Sequence, residues 1–253
     1  MKILSLNVNC FAGEKNMMYT EYFTRLDECP KANEIIAFVK GFLFGNPDGL
    51  VLLYEIPCCE FQHERLLYKE FLQQFPDENY ACEISGKKPK ICTIAIWNRK
   101  DCAEKVWTRQ DDFGKGKADY CNRFVELAIE RGGSTLRVLG IHAPYGELDF
   151  FEALKEYALD KGKTGEKLII VGDLNVHEKE PSIYLAQIHE IVNSGYSTEI
   201  KDGEITYFPN GHTIDHVLVS PELKDKDNVD AYVIPQKVLE LSDHAVIIVD
   251  VKI

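Results

Sequence analysis

The sequence predicts a layered α/β protein in which helices cover the outer faces of β-sheets. Its 253 residues are 45% hydrophobic and 28% charged, which is typical of a globular protein with a large core. Short apolar runs alternate with segments whose apolar residues recur at helical spacing. Between residues 80 and 130, strand-like runs follow one another with no helical pattern between them. This mixture of connections favours sheets with helices on their outer faces.

Apolar and β-branched runs predict the strands of these sheets. The runs that predict buried strands are Ile3–Val8, Leu50–Ile56, Ile91–Trp97, Thr135–His142, Lys167–Asp173, Thr213–Ser220 and Ala245–Ile253. Three further strands are predicted where no helix intervenes, at Tyr80–Ile84, Glu104–Arg109 and Phe124–Glu130.

Helical spacing of apolar residues predicts the covering helices. The pattern occurs in residues 35–43, 67–75, 151–158 and 183–192. Pro181 precedes the last of these segments, at a position where the first turn of a helix tolerates proline.

Charge and cysteine usage restrict the classes of protein that the chain can belong to. Lys and Arg number 29 and Asp and Glu number 41, so the net charge is −12, which repels phosphate backbones and anionic lipids at long range. This disfavours a nonspecific nucleic-acid coat protein. The eight cysteines form no Cys-x-x-Cys pair, which excludes a zinc ribbon and favours reduced thiols. With no targeting signal, membrane-length apolar run, repeat or linker, we expect one cytoplasmic domain over residues 1–253 without membrane association.

Polar residues close or open most of the predicted apolar strands. They are Asn7, Glu55, His142, Asp173 with Asn175 two residues later, Asp215, and the pair Asp243 and His244. A buried carboxylate costs several kcal/mol unless it is paired or bound to a metal. One such residue is usually a cap, but six strand termini of this kind indicate a shared cleft, where layered α/β folds bind ligands.

The segments around these residues, together with their order along the chain, resemble the endonuclease/exonuclease/phosphatase superfamily. That superfamily includes DNase I-like nucleases, exonuclease III-like repair enzymes, deadenylases, sphingomyelinases and inositol-polyphosphate 5-phosphatases. The matching segments are Ser5-Leu6-Asn7-Val8-Asn9, Leu53-Tyr54-Glu55-Ile56, Gly140-Ile141-His142-Ala143-Pro144, Val171-Gly172-Asp173-Leu174-Asn175, Ile214-Asp215-His216-Val217-Leu218 and Leu241-Ser242-Asp243-His244.

The resemblance implies a fold and a reaction. The fold is a DNase I-like four-layer α/β/β/α sandwich, with two mixed sheets packed face to face and helices outside. The reaction is Mg²⁺-dependent hydrolysis of a phosphoester, in which water attacks phosphorus in line without a covalent intermediate and Mn²⁺ substitutes for Mg²⁺. Phosphoryl transfer of this kind depends on positioning and charge neutralisation more than on covalent chemistry.

The resemblance also implies a role for each strand-end residue. Glu55 matches the metal ligand, with Asn7 and Asp243 beside it. Asp173 matches the group that orients or deprotonates the attacking water, and Asn175 would hold a phosphate oxygen.

The remaining roles fall to two histidines and their neighbours. His244 matches the histidine that stabilises developing charge, and Asp215 would hold its ring within hydrogen-bond reach. His142 matches a histidine that contacts phosphate near the leaving oxygen, and Asn9 is a further candidate for substrate binding. His177 and His212 lie near these motifs; we expect surface histidines there, and the alternative is a contact at the rim of the site.

Departures from the superfamily pattern bear on the substrate. Repair enzymes of the exonuclease III type carry Asp at the position of Asn9 and Tyr at the position of His142, which disfavours an abasic-site endonuclease. No carboxylate partner for His142 is evident around Lys88–Ile91. We therefore predict a phosphodiesterase or nuclease-like enzyme acting on nucleic acid or a small phosphorylated molecule, with no protein partner indicated. The alternatives are a phosphatase of a sugar or inositol phosphate and, more remotely, a non-catalytic binding module.

Overall fold

The structure is a computed structural model that describes most of the chain. The described residues are 1–14, 25–57, 67–86, 91–99, 106–110, 112–113, 120–131, 133–177, 182–201, 203–224, 228–235 and 238–252. Pro181 and Lys88–Lys90, which figure in the sequence analysis, lie outside them.

Strands and helices alternate much as the sequence predicts. The strands are β1 (Lys2–Asn7), β2 (Leu50–Pro57), β3 (Tyr80–Ile84), β4 (Ile91–Asn98), β5 (Val106–Gln110), β6 (Phe124–Arg131), β7 (Ser134–His142), β8 (Lys167–Asp173), β9 (Ser197–Thr198), β10 (Asp215–Val219), β11 (Val229–Ile234) and β12 (Val246–Val251). The helices are α1 (Ala32–Gly45), α2 (Leu67–Gln73), α3 (Leu148–Thr164) and α4 (Ile183–Asn193).

The strands form two six-stranded mixed sheets. The first sheet has the order β11-β12-β1-β2-β4-β3, and the second has the order β5-β6-β7-β8-β10-β9. Within the first sheet β1 and β2 are parallel, and within the second β7 and β8 are parallel, while the other pairs are antiparallel. Each parallel pair brings two carboxyl ends to one edge of its sheet.

Three apolar clusters separate four layers. One joins α1 and α2 to the outer face of the first sheet, and another joins α3 and α4 to the outer face of the second. The third lies between the sheets. Strand β2 contributes to two of these clusters, because its side chains alternate between its two faces. Leu50 and Leu52 face the second sheet, while Val51 and Leu53 face the helices. The predicted α/β/β/α sandwich is confirmed.

Two strands lie outside the sequence-based prediction, β9 and β11. Strand β11 lies at an edge of the first sheet, where alternate residues such as Asp230 are exposed, so it lacks the continuous apolar run of a central strand. Helix α3 extends beyond its predicted apolar core at both ends, and its added C-terminal turn carries the exposed polar residues Asp160, Lys163 and Thr164. Among the described residues, no helix combines the length and apolarity needed to cross a bilayer.

A glycine in β8 permits the close approach of strands behind the site. Gly172 has φ of 141°, and a Cβ there would lie 2.0 Å from the carbonyl oxygen of Ile141 and 2.8 Å from the ring of Tyr54. The Tyr54 hydroxyl crosses between the sheets and donates to the carbonyl oxygen of Val171 at 2.9 Å. The position before Asp173 therefore accepts only glycine without a backbone shift.

We expect Gly172→Ala to lower the free energy of unfolding by about 3 kcal/mol or more, since neither the backbone angle nor the adjacent carbonyl can accommodate a Cβ. Gly41→Ala is the matched control. Gly41 lies at an exposed position of α1 with no atom within 4 Å of its added Cβ, so alanine should stabilise the helix by about 0.5–1 kcal/mol. Urea unfolding of both variants measures the difference, and equal midpoints would contradict the packing described.

Candidate active site

The strand-end residues predicted from the sequence converge where the two sheets face each other. Asn7 and Glu55 come from the adjacent parallel strands β1 and β2. On the second sheet, Asp173 is directly opposite both His142 and Asp215 in the strand register. Asp243 and His244 enter from the segment before β12, which pairs with β1.

A β-bulge aims Glu55 into the site. The register between β2 and β4 shifts between Leu53 and Ile56, which gives β2 one extra residue there. Glu55 has φ of 57°, a left-handed conformation that is uncommon for a residue other than glycine. The bulge thus turns a side chain of an otherwise buried central strand toward the cleft.

A strained turn follows β1. Asn9, Cys10 and Phe11 have successive φ values of 44°, 51° and 64°, all in the left-handed region, and all three are buried. Such conformations cost free energy and persist only where surrounding contacts enforce them. One contact is the side-chain amide of Asn9, which donates to the carbonyl oxygen of Gly13 at 2.9 Å. Asn9 borders the cavity, and its amide supports the turn.

The turn fixes Asn7. The backbone N–H of Asn9 donates to Oδ1 of Asn7 at 3.0 Å, and Nδ2 of Asn7 donates to Oδ2 of Asp173 at 3.0 Å. Asn7 therefore links the end of the first sheet to the carboxylate at the end of the second.

Asp173 is the central carboxylate of the site and is almost fully buried. Its Oδ1 accepts from the backbone N–H of Asn175 at 2.8 Å. Burial, together with the nearby carboxylates of Asp215 and Glu55, raises its pKa to about 7 against the opposing effect of His244. A carboxyl group with a pKa near neutrality is suited to accept a proton from water.

His244 and Asp215 form a buried pair. Nδ1 of His244 lies 2.9 Å from Oδ2 of Asp215, which is the hydrogen-bond distance expected from the sequence. Burial lowers the pKa of His244, but Asp215, Asp173 and Asp243 outweigh it and raise the pKa to about 10. His244 is therefore an imidazolium at neutral pH, with Nε2 lying 3.8 Å from Oδ2 of Asp173.

His142 has a cationic partner at one ring nitrogen and a carboxylate, Glu55, near the other. An N–H of Arg123 donates to Nδ1 of His142 at 3.1 Å. Arginine has no acceptor, so Nδ1 must be unprotonated and the ring hydrogen lies on Nε2. Burial, Arg123 and His244 all lower the pKa of His142 well below its usual value, which keeps the ring neutral.

Arg123 therefore makes His142 a donor toward the carboxylates of Glu55 and Asp173. Nε2 of His142 lies 3.2 Å from Oε1 of Glu55 and 3.8 Å from Oδ2 of Asp173. Sequence reasoning missed Arg123, because it lies in a turn before β6 and outside the strand-end pattern.

Asp243 completes the group of carboxylates. The hydroxyl of Ser242 lies 3.2 Å from its Oδ1. Burial and the nearby Glu55 together raise the pKa of Asp243 to about 6, against the opposing effect of His244. Glu55 raises the pKa of both Asp173 and Asp243, so the three carboxylates share one electrostatic environment.

This donor set fits a hard divalent cation. The ligand atoms of Glu55, His142 and Asp173 lie within 4.8 Å of one another. His142 is not a suitable ligand there, because its inward nitrogen bears the hydrogen that Arg123 fixes. The remaining donors are carboxylate oxygens, which Mg²⁺ and Mn²⁺ prefer.

Most of the predicted site residues border one cavity of about 440 Å³, whereas Asn7, His142 and Asp215 are not part of its lining. Its lining includes Glu55, Asp173, Asn175, Asp243 and His244. Asn175 has φ of 51° and donates through Nδ2 to the carbonyl oxygen of Ala143 at 2.8 Å.

Three other histidines near the motifs have different environments. His216 faces away from the site, and its ring lies 2.9 Å from the carbonyl oxygen of Val176. His177 and His212 are half-buried and line the cavity, which favours the rim-contact alternative for both. Their nearness to the motifs was the only signal in the sequence.

Comparison with known proteins identifies the family. Residues 85–244, more than half of the chain, match the Endonuclease/Exonuclease/phosphatase family. The chain belongs to the endonuclease/exonuclease/phosphatase family. Members of this family are metal-dependent phosphoester hydrolases, and the chain is an enzyme of that class. No curated protein matches the chain in sequence.

Solved structures of this family share the fold over the whole chain. The 3′ phosphatase NExo from Neisseria, bound to product DNA hairpin, is 20% identical with a TM-score of 0.64, and all of both chains is covered. An AP endonuclease from Archaeoglobus fulgidus is 17% identical with a TM-score of 0.63, again covering all of both chains. D. rerio TDP2 complexed with single strand DNA product is 14% identical with a TM-score of 0.60, covering 98% of this chain and 97% of the other.

We expect Asp215→Asn to lower kcat by roughly 10²–10³-fold, because the pKa of His244 falls and its imidazolium is no longer held. NMR titration of the His244 ring measures the pKa, and steady-state kinetics measure kcat. Asp160→Asn, at an exposed position on α3, is the control. Unchanged kcat in Asp215→Asn would remove Asp215 from the site.

Arg123→Ala should lower kcat/KM roughly 10- to 100-fold, the usual cost of losing a partner that orients a histidine in a metal site. Nitrogen chemical shifts of His142 should also show loss of the single Nε2–H tautomer. Arg25→Ala, at an exposed arginine whose side chain pairs with Asp27 among the contacts described, serves as control. A variant with wild-type kinetics and an unchanged tautomer would show that Arg123 does not position His142.

Proposed function

We propose that the protein is a Mg²⁺-dependent phosphodiesterase with nuclease-like activity, and that Mn²⁺ substitutes for Mg²⁺. The observation that supports this most directly is the arrangement around Oδ2 of Asp173. Nε2 of cationic His244 and Nε2–H of neutral His142 each lie 3.8 Å from this oxygen, and Asn7 donates to it at 3.0 Å. A water held at Asp173 would therefore have hydrogen-bond donors close to the phosphate that it attacks.

Asp173 accepts the proton from the attacking water in the proposed reaction. The water oxygen forms a bond to phosphorus while the bond to the leaving oxygen breaks on the opposite side. A pKa near 7 suits Asp173 for this step, because the group is part-ionised at neutral pH and basic enough to take the proton.

The two histidines and Asn175 stabilise the charge that develops on the phosphate oxygens. His244 donates from a ring that Asp215 keeps protonated, and His142 donates from a neutral ring that Arg123 keeps in one tautomer. Donors that are fixed before the reaction need no reorganisation during it.

Glu55 would hold the cation, with Asp243 and Asn7 beside it. When bound, a divalent cation supplies Lewis-acid polarisation of the phosphate and offsets the charge of the carboxylates. That second effect matters in a chain of net charge −12 that must admit an anionic substrate.

A nucleic-acid substrate is part of this proposal. Two of the similar structures contain product DNA, in NExo and in D. rerio TDP2. Those ligands belong to those proteins, and at identities of 20% or less the likeness concerns the fold.

We also propose one domain over residues 1–253 and a cytoplasmic location. Strand β1 lies between β2 and β12, so the two ends of the chain share one sheet. The buried thiol of Cys29, which forms no disulfide, suits a reducing compartment.

We expect hydrolysis to require a divalent cation and to stop in excess EDTA. Glu55→Gln should raise the Mg²⁺ concentration for half-maximal activity roughly 10- to 100-fold, because a ligand charge is lost. Assays of a single-stranded oligonucleotide over a Mg²⁺ titration measure this, with exposed Glu152→Gln as control. Undiminished hydrolysis in EDTA would contradict the proposed function.

A further inference from the structure

The active-site cavity extends past the proposed catalytic residues to a pair of imidazoles in close, tilted contact. The rings of His177 and His212, which we call the imidazole platform, have centroids 3.7 Å apart and planes inclined by 31°. Both rings border the same cavity as Glu55 and His244. The reaction proposed above uses neither of them.

One half of the platform is tied to the catalytic histidine through Tyr207. The backbone N–H of His212 donates to the carbonyl oxygen of Tyr207 at 3.0 Å, and the N–H of Tyr207 donates back at 2.9 Å. The Tyr207 ring lies 4.9 Å from the His244 ring, centroid to centroid. A single residue, Tyr207, therefore connects His212 to the reacting centre.

The other ring of the platform, His177, comes shortly after Asp173 in the sequence. The backbone of Leu174 donates to the carbonyl oxygen of Ile214 at 2.9 Å, and the ring of buried His216 holds the carbonyl oxygen of Val176 at 2.9 Å. These contacts fix the backbone directly before His177. The two segments that carry His177 and His212 are thus held in place before any ligand binds, which lowers the entropic cost of binding.

The chemistry of the cavity favours a planar, uncharged group at the platform. The charged side chains among its described lining residues, apart from histidines, are the carboxylates Glu55, Asp173 and Asp243. A second phosphate would meet these carboxylates without a lysine or arginine from the described lining. Tyr145 adds an aromatic ring at the mouth, where it is 86% exposed. Flat rings next to flat rings suit stacking, which is how nucleobases are held without sequence preference.

We infer that the imidazole platform stacks the nucleobase next to the scissile phosphate, so that the substrate is an unpaired nucleotide at a single-stranded position. This inference rests on the proposed phosphodiesterase function and specifies its substrate. An unpaired base can leave its neighbours and enter the cavity, whereas a paired base in a duplex cannot without unstacking. A substrate held by stacking also suits an acidic protein, because less of its binding depends on phosphate contacts.

The test uses dinucleotides with one phosphodiester, so the scissile bond is defined. TpT carries two thymines, and in FpT and TpF one nucleoside is replaced by a tetrahydrofuran that lacks a base. Wild-type protein with Mg²⁺ should hydrolyse TpT with kcat/KM roughly 5- to 20-fold above one of the two abasic dinucleotides. His177→Ala and His212→Ala should raise the KM for TpT until kcat/KM for TpT is within about twofold of that for the poorer dinucleotide.

Two further variants separate stacking from a structural effect. His212→Phe keeps a planar ring and should keep the preference, and exposed His189→Ala on α4 should match wild type on all three dinucleotides. Equal rates of wild type on TpT, FpT and TpF would overturn the inference. So would an equal loss on all three in His177→Ala and His212→Ala, or faster hydrolysis of inositol 1,4,5-trisphosphate than of TpT.

Calorimetric binding of the same dinucleotides in Ca²⁺ provides a readout without turnover. If none is hydrolysed in any divalent cation, yet TpT binds roughly 5- to 20-fold more tightly than one abasic dinucleotide, the proposed activity fails and the platform stands. Base-independent binding would overturn the platform whatever the activity.

Discussion

The burial of several carboxylates in one small space is the constraint on which the rest of the structure depends. Asp173, Asp215 and Asp243 are almost fully buried at the sheet ends, with Glu55 beside them. Isolated charges in such a place would cost several kcal/mol each. The protein offsets that cost with the His244 cation, with donors from Asn7 and Asn175, and with raised pKa values for Asp173 and Asp243. A divalent cation would complete the neutralisation.

The fold meets this constraint by bringing strand ends together and by tolerating local strain. A bulge turns Glu55 inward, three left-handed residues after β1 hold Asn7, and Gly172 lets β8 pass close to β7. Each feature raises the free energy of the folded protein locally, but each also fixes a polar group in place before substrate binds. Preorganised groups of this kind are the usual source of electrostatic stabilisation in phosphoryl transfer.

Much of the fold and of the central site is predictable from the sequence, because both leave local signals. Strand β8 has the predicted bounds, Lys167–Asp173, since a continuous apolar run ending in a carboxylate is unambiguous. Edge strand β11 is not predictable, because half of its residues face solvent. Arg123 and the stacking of His177 on His212 are also hidden, since they depend on contacts between segments 19 and 35 residues apart with no periodic pattern.

The most direct measurement of the central claim is the effect of Mg²⁺ on the urea unfolding midpoint at pH 5 and pH 8. Without metal, raised carboxyl pKa values of about 7 and 6 stabilise the fold at low pH, and that stability is lost as pH rises through them. Mg²⁺ at matched ionic strength should therefore raise the midpoint far more at pH 8, where the free energy of unfolding should rise by about 2.7 kcal/mol at a hundredfold excess over its dissociation constant. An equal shift at both pH values, or none at pH 8, would contradict the account.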